Sequence, residues 1–250
     1  MLPLSKPAPS ISLQNATVIY QGKPLFENLS VDFAAGQYTC LLGPSGIGKS
    51  SLLRFLAGLL PHAFGKVSSN DQQTLQGRIA YLSQHDCLLP WLSALDNVWI
   101  SLRLSKQRLT PSLRQVAINL LKDLGLAEVA HLPPHALSGG MRQRLALARI
   151  LFENKPVILL DEPFSAIDAI TRLQLQDLTA RYFKDRTVIF VTHDPLEALR
   201  IAQHIYILAG KPAYIANTLS PSGMPPRAAT DPNLLQLQGE LWQYLLQAHA

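Results

Sequence analysis

Cysteine is nearly missing from this sequence, which holds two in 250 residues. Two thiols build no disulfide framework, so the expected setting is a reducing, cytoplasmic one. Cys40 lies in an apolar run and reads as a small buried hydrophobe, while Cys87 lies in a loop far away in sequence. Long hydrophobic runs are missing too. No stretch approaches the roughly 18 apolar residues of a membrane span, so a membrane role is expected only through a partner. The N-terminal segment Met1 to Ser10 is proline-rich and has no apolar h-region, so no secretory signal is expected there. The net charge is +5 but no basic run is dense; the expectation is a solvated, mildly basic surface and no nucleic-acid partner. There is no internal repeat, low-complexity tract or sustained heptad pattern. What is present is bulk: 48% apolar residues over this length suffice for one large α/β domain with a subdomain.

The most informative stretch is Gly43-Pro44-Ser45-Gly46-Ile47-Gly48-Lys49-Ser50. It follows the apolar run Tyr38 to Leu42, which reads as a buried strand, and precedes Ser51 to Gly58, which reads as a helix. Strand, glycine loop and helix form the context of a phosphate-binding loop. Its glycines let backbone N–H groups turn inward around phosphate oxygens, and the helix N-terminus adds partial positive charge. Lys49 is placed to reach the outer phosphates and Ser50 to ligate Mg²⁺.

Along the chain, Ile11 to Tyr20 and Leu29 to Phe33 read as strands of an antiparallel layer, with a turn at Gln21 to Pro24. Pro61 to Gln76 reads as polar and irregular, and Arg78 to Ser83 as a strand with Gln84 at its end. Helices follow. Ser93 caps one running through Leu104. Thr110-Pro111 starts another, with Leu113, Val116, Ala117, Leu120, Leu121 and Leu124 on one face and Gly125 as its stop. Ser138-Gly139-Gly140 opens a further helix. Val157 to Leu160 is an apolar strand ending in Asp161-Glu162; Ile167 to Phe183 reads as a helix, and Thr187 to Val191 as a strand followed by His193. Ser220 to Asp231 reads as a linker and Leu234 to Leu246 as an amphipathic helix. Strands alternating with helices imply a largely parallel sheet with its site at the strand C-terminal ends.

Taken singly, the later motifs have ordinary readings: a strand-end turn, an exposed glutamine, a structural histidine, a flexible turn into a helix. Acidic residues ending an apolar strand downstream of a phosphate loop are placed for Mg²⁺ (Asp161) and for orienting attacking water (Glu162). Together, with Leu137-Ser138-Gly139-Gly140 followed by Gln143 and Arg144, the set resembles the ATP-binding subunits of ABC transporters over roughly Ser12 to Gly210. The resemblance implies an ABC-type P-loop ATPase core with a flanking antiparallel β-layer and a helical insert. It implies Tyr20 as the aromatic that stacks on adenine, and Gly43 to Ser50, with Ser51, as the nucleotide loop. Gln84 becomes a glutamine touching Mg²⁺ and the partner, Asp161 a metal ligand, Glu162 the catalytic carboxylate, and His193 the γ-phosphate sensor. Ser165 to Asp168 looks like the turn between the two sites. Ser138, Gly139 and Gly140 would act on ATP held by a second copy packed head to tail. Departures are small: Ser51 where Thr is common and Ile167 where Leu is common.

The expected division is 1–84 nucleotide core with its β-layer, 85–155 helical subdomain, 156–219 second part of the core, and 220–250 linker and last helix. Leu88-Leu89-Pro90-Trp91 and Asp96-Asn97-Val98 look like the import group serving nitrate, sulfonates, taurine and thiamine-precursor pyrimidines. That resemblance implies ATP and Mg²⁺ as ligands, and a second copy of the chain and transmembrane permease subunits as direct partners. A solute-binding protein is an indirect one, and the place is the cytoplasmic face of the inner membrane. An exporter or lipoprotein-release ATPase remains the alternative, and a non-transport ABC ATPase a further one. Trp91 has two readings, a buried loop tip or part of a groove for a permease helix.

Overall fold

The computed structural model describes residues 7–60 and 63–249. Two sheets form the frame. The smaller is antiparallel, with β1 (Ile11–Tyr20) between β2 (Lys23–Phe33) and β4 (Ala63–Ser69). Tyr20 pairs with Lys23 across a two-residue turn, and Gln21 and Gly22 both have positive φ, the geometry that matches strand twist in a tight hairpin. The strand expected at Leu29 to Phe33 thus begins earlier, at Lys23.

β4 lies where the sequence reads as irregular; Pro61 and His62, the start of that stretch, lie outside the described residues. It is an edge strand that packs Ala63 and Val67 on the core with Gly65 between them, so its apolar alternation is weak. Gly65 makes the pairing possible. A Cβ there would sit 2.8 Å from Ala16 Cα and 2.9 Å from the Asn15 and Gln14 carbonyl oxygens. Only glycine permits that approach at its φ of +123°.

The larger sheet has the order β5 (Ile79–Leu82), β6 (Val157–Asp161), β7 (Thr187–Val191), β3 (Tyr38–Leu42), β8 (His204–Ala209), β9 (Tyr214–Leu219). All neighbours are parallel except β8 and β9. β3, β6 and β7 are buried along their whole length, which is why they read as unbroken apolar runs. Their side chains alternate between two cores. Val157 and Leu159 face the antiparallel layer and α1 (Lys49–Leu56), while Ile158 and Leu160 face the helices. Each such burial contributes ~1.5–3 kcal/mol.

On the helical side, Ser93 caps α2 (Ala94–Val98), Trp99 interrupts the expected single helix, and α3 (Ile100–Leu104) follows. Thr110 Oγ1 accepts from Leu113 N at the start of α4 (Pro111–Asp123), and Ser138 Oγ accepts from Met141 N at the start of α5 (Gly139–Glu153). Asp168 caps α6 (Ala169–Tyr182), and Asp194 caps α7 (Pro195–Ile201). The last helix, α8 (Pro232–His249), buries Leu234, Leu241 and Leu245 against α7 and β8.

The 220–231 segment, read from sequence as a linker, is held down by Arg227. Its guanidinium is buried and donates to five carbonyls: Ser222 (2.6 Å), Leu199 (2.8 Å), Ala202 (2.8 Å), Pro221 (2.7 Å) and Gly223 (3.0 Å). A buried guanidinium is tolerated only when its donors are met.

Candidate active site

The C-terminal ends of β3, β5, β6 and β7 bring Gly43, Gln84, Asp161, Glu162 and His193 to one edge of the sheet. The phosphate-loop residues turn from β3 into α1. Pro44 has no N–H, so the donors available to an anion come from Ser45 onward. Ile47 sends its side chain into the core and offers only its backbone. Gly43 has a φ of +146°, and a Cβ there would meet the Leu208 carbonyl oxygen at 2.6 Å. Lys49 folds over the loop, donating from Nζ to the carbonyls of Gly43 (2.7 Å) and Pro44 (2.8 Å). Burial lowers its pKa, opposed by the nearby Glu162 and Asp161 carboxylates.

Ser50 Oγ donates to Asp161 Oδ1 at 3.0 Å. Asp161 is 1% exposed, and its Oδ2 is buried without a hydrogen-bond partner. Burial raises its pKa, and the Ser50 hydrogen bond opposes this. An orphaned carboxylate oxygen beside a hydroxyl is the donor set a hard divalent cation accepts, and an Mg²⁺ ion fits these residues. Among the described residues no three His, Cys, Asp or Glu side chains cluster for a metal.

Glu162 occupies left-handed backbone space, with φ 52°. Its N–H donates to Val191 O at 2.9 Å, tying it to the end of β7. Its Oε1 lies 3.5 Å from Nδ1 of His193, an exposed side chain on the loop between β7 and α7. Gln84 is exposed and lines a cavity of about 190 Å³ with Asp161, Gly139, Gln143 and Ser165. A larger cavity, about 620 Å³, lies between α1 and the 73–81 segment, away from these groups; chemistry, not volume, locates the site.

Tyr20 is 61% exposed at the hairpin tip, free to stack and not a core tyrosine. The same hairpin packs Leu25 and Phe26 against Gly48. Ser51 is half-buried inside α1. Ser138 and Gly139 are exposed at the start of α5; among the described residues no hydrogen bond joins them to the phosphate loop. Leu88 is buried, whereas Trp91 is 75% exposed. The loop carrying Trp91 is clamped by Asn97, wholly buried, whose Oδ1 accepts from Leu89 N (2.8 Å) and whose Nδ2 donates to Ser93 O (3.0 Å).

Four residues round the site were not singled out as site residues by sequence. Gln143 grips the Glu162 and Ala166 backbone, and Arg172 joins Ile167 O to the Asp194 carboxylate. Asp194 followed by Pro195 is a readable helix start. Glu197 has no sequence signal; it is 4% exposed, and burial pushes its pKa up to about 8.

A family model for ABC transporters matches residues 26–165. An uncharacterized ABC transporter ATP-binding protein of Haemophilus influenzae is 40% identical over 94% of this chain and 98% of its own length. An aliphatic sulfonates import ATP-binding protein of Delftia acidovorans is 40% identical over 95% of each chain. Among solved structures, a dimeric post-hydrolysis state of an ATP-binding cassette bound to ADP and Pi superposes with a TM-score of 0.75 at 29% identity. It covers 86% of this chain and 100% of that one.

Proposed function

Since this chain belongs to the ABC transporter family and is an ATP-binding ATPase subunit of it, we propose that its hydrolysis of ATP powers import of a small anionic or heterocyclic nutrient. The named relatives that import aliphatic sulfonates support a sulfonate, with nitrate and thiamine-precursor pyrimidines as the neighbouring chemistries.

In this reading the loop N–H groups and Lys49 hold the β- and γ-phosphates, and Lys49 exchanges its two backbone carbonyls for phosphate oxygens. Ser50, Asp161 and Gln84 would hold Mg²⁺. When bound, Mg²⁺ supplies charge neutralisation between the phosphates. Glu162 orients the attacking water, and His193, 3.5 Å from it, contacts the γ-phosphate. Tyr20 stacks on the base. Ser138, Gly139 and Gly140 belong to the site of a second copy, so that each dimer holds two composite sites. The exposed Trp91 loop takes a permease helix, which would hold the subunit at the cytoplasmic face of the membrane. A solute-binding protein acts beyond that permease. No helix among the described residues is long and apolar enough to cross a membrane itself. The divisions at 84, 155 and 219 then separate the nucleotide core from the helical arm that carries the α5 N-terminus.

The observation that carries the reading is the Ser50–Asp161 pair with an unmet buried oxygen, one residue from a carboxylate that faces a histidine. The experiment is Glu162→Gln. The variant should bind MgATP, collect as a closed dimer and hydrolyse at least ~100-fold more slowly. Lys49→Ala should instead weaken binding itself. Near wild-type turnover in Glu162→Gln would remove Glu162 from this role.

A further inference from the structure

Glu162 sits in a backbone conformation that side chains rarely adopt, and among the described residues its carboxylate makes only the 3.5 Å approach to His193. Something else must fix it. Its carbonyl accepts from Gln143 Nε2 (2.9 Å) and from Ser165 Oγ (3.2 Å). The other end of the same amide, Gln143 Oε1, accepts from Ala166 N at 2.8 Å. One side chain on α5 therefore holds both sides of the 162–166 turn. From there Ile167 O accepts from Arg172 Nη2 (2.9 Å), and Arg172 Nη1 donates to Asp194 Oδ2 (3.2 Å). Asp194 N donates to Thr192 Oγ1 (3.1 Å), and Asp194 Oδ1 accepts from Leu196 N (2.9 Å), which fixes the loop on either side of His193. His193 returns to Glu162 Oε1.

We propose that Gln143 and Arg172 are positioning residues, in a circuit of hydrogen bonds that runs from the Glu162 carbonyl through the 165–168 turn to the loop carrying His193 and is closed by the 3.5 Å approach of His193 to the Glu162 carboxylate. Ser165, Ala166 and Asp168 on this turn are exposed, so the circuit, not cover by neighbouring side chains, holds the turn in place. The inference rests on the reading of Glu162 as the residue that orients water.

The test uses the full chain and four variants: Arg172→Lys, Asp194→Asn, Gln143→Ala and the double Gln143→Ala/Arg172→Lys. Lysine keeps the charge but cannot fork to two acceptors. Asparagine keeps the α7 cap and loses the ion pair. Each single variant should lower kcat by ~10-fold or more while KM for MgATP moves less than ~3-fold and the melting temperature stays close to wild type, because misplacement acts on the transition state alone. The double variant should be little worse than the weaker single, since both break one circuit. Glu162→Gln is assayed alongside. If it retains turnover, the underlying reading fails and the proposal with it. If it loses turnover while the Arg172, Asp194 and Gln143 variants keep theirs, or lose it additively in step with melting temperature, the circuit alone is overturned.

Discussion

Replacing Glu197 by glutamine should make the protein less sensitive to alkali. Glu197 lies on the first turn of α7, 4% exposed, and its Oε1 has no hydrogen-bond partner. Burial pushes its pKa up to about 8, the Asp194 carboxylate adds to this, and Arg172 and a Thr192 hydrogen bond oppose it. Cys40 and Glu162 also face it. In the unfolded chain the same carboxyl titrates near 4.5. Between these two values the folded protein holds a proton that the unfolded chain has released. The unfolded state then binds fewer protons, so stability falls as pH rises, by ~1.4 kcal/mol per unit, and levels off above the folded value. From pH 6 upward that leaves ~2–3 kcal/mol to be lost, or roughly 5–10 °C in melting temperature for a chain of this size. Glutamine mimics the protonated acid in both states, so Glu197→Gln should match wild type only near pH 4.5 and below, already be ~2 kcal/mol the more stable at pH 6, and gain a further ~2–3 kcal/mol by pH 9. Thermal melts of both chains at pH 6, 7, 8 and 9 read the difference directly, because every other titrating group is common to both. Parallel curves, with no gap opening towards pH 9, would show that Glu197 is already ionised in the fold and refute the reasoning.

Two further outcomes follow from the proposed assembly. A Ser138→Arg chain mixed with a Lys49→Ala chain should regain part of the ATPase that neither has alone, since one intact composite site forms per mixed dimer; no recovery in proven heterodimers would mean a site complete within one chain. Trp91→Ala should leave melting within a few degrees and basal ATPase unchanged, because the side chain is 75% exposed and such surface changes cost under ~0.5 kcal/mol. It should weaken co-purification with the permease, and a large fall in melting temperature with permease binding intact would overturn its docking role.

Where several physical signals coincide, the sequence was legible. The buried strands Val157 to Asp161 and Thr187 to Val191 are unbroken apolar runs, and the Thr110-Pro111 and Ser138 starts are caps that the structure bears out by hydrogen bonds. Meeting points that arise only by tertiary packing stayed hidden. β4 shows little pattern because Gly65 falls between Ala63 and Val67, the residues that pack on the core, and looks like a loop glycine. β8 and β9 carry no motif that marks them. The Leu88 to Trp91 run looked uniform, yet the fold buries its first residue and exposes its last. Gln143 belongs to a readable motif, but its hold on Glu162 and Ala166, like the reach of Arg172 to Asp194, spans about twenty residues, and no spacing rule shows such a contact. Proline, serine and alanine at 220–231 suggested a tether because composition does not reveal that one arginine finds five carbonyls.

That arginine changes what the end of the chain is for. Two of its five acceptors, the carbonyls of Leu199 and Ala202, terminate α7, and the other end of α7 is capped by Asp194 beside His193. The tail is thus riveted to the far end of the short rod whose near end carries the histidine. A truncation that keeps every nucleotide motif but stops before Arg227 would strip two carbonyls of their partner and uncover the seat of Leu234, Leu241 and Leu245. The folded unit therefore extends into α8, and a tail exchanged between relatives would have to supply both the arginine that meets the end of α7 and the leucines that cover it.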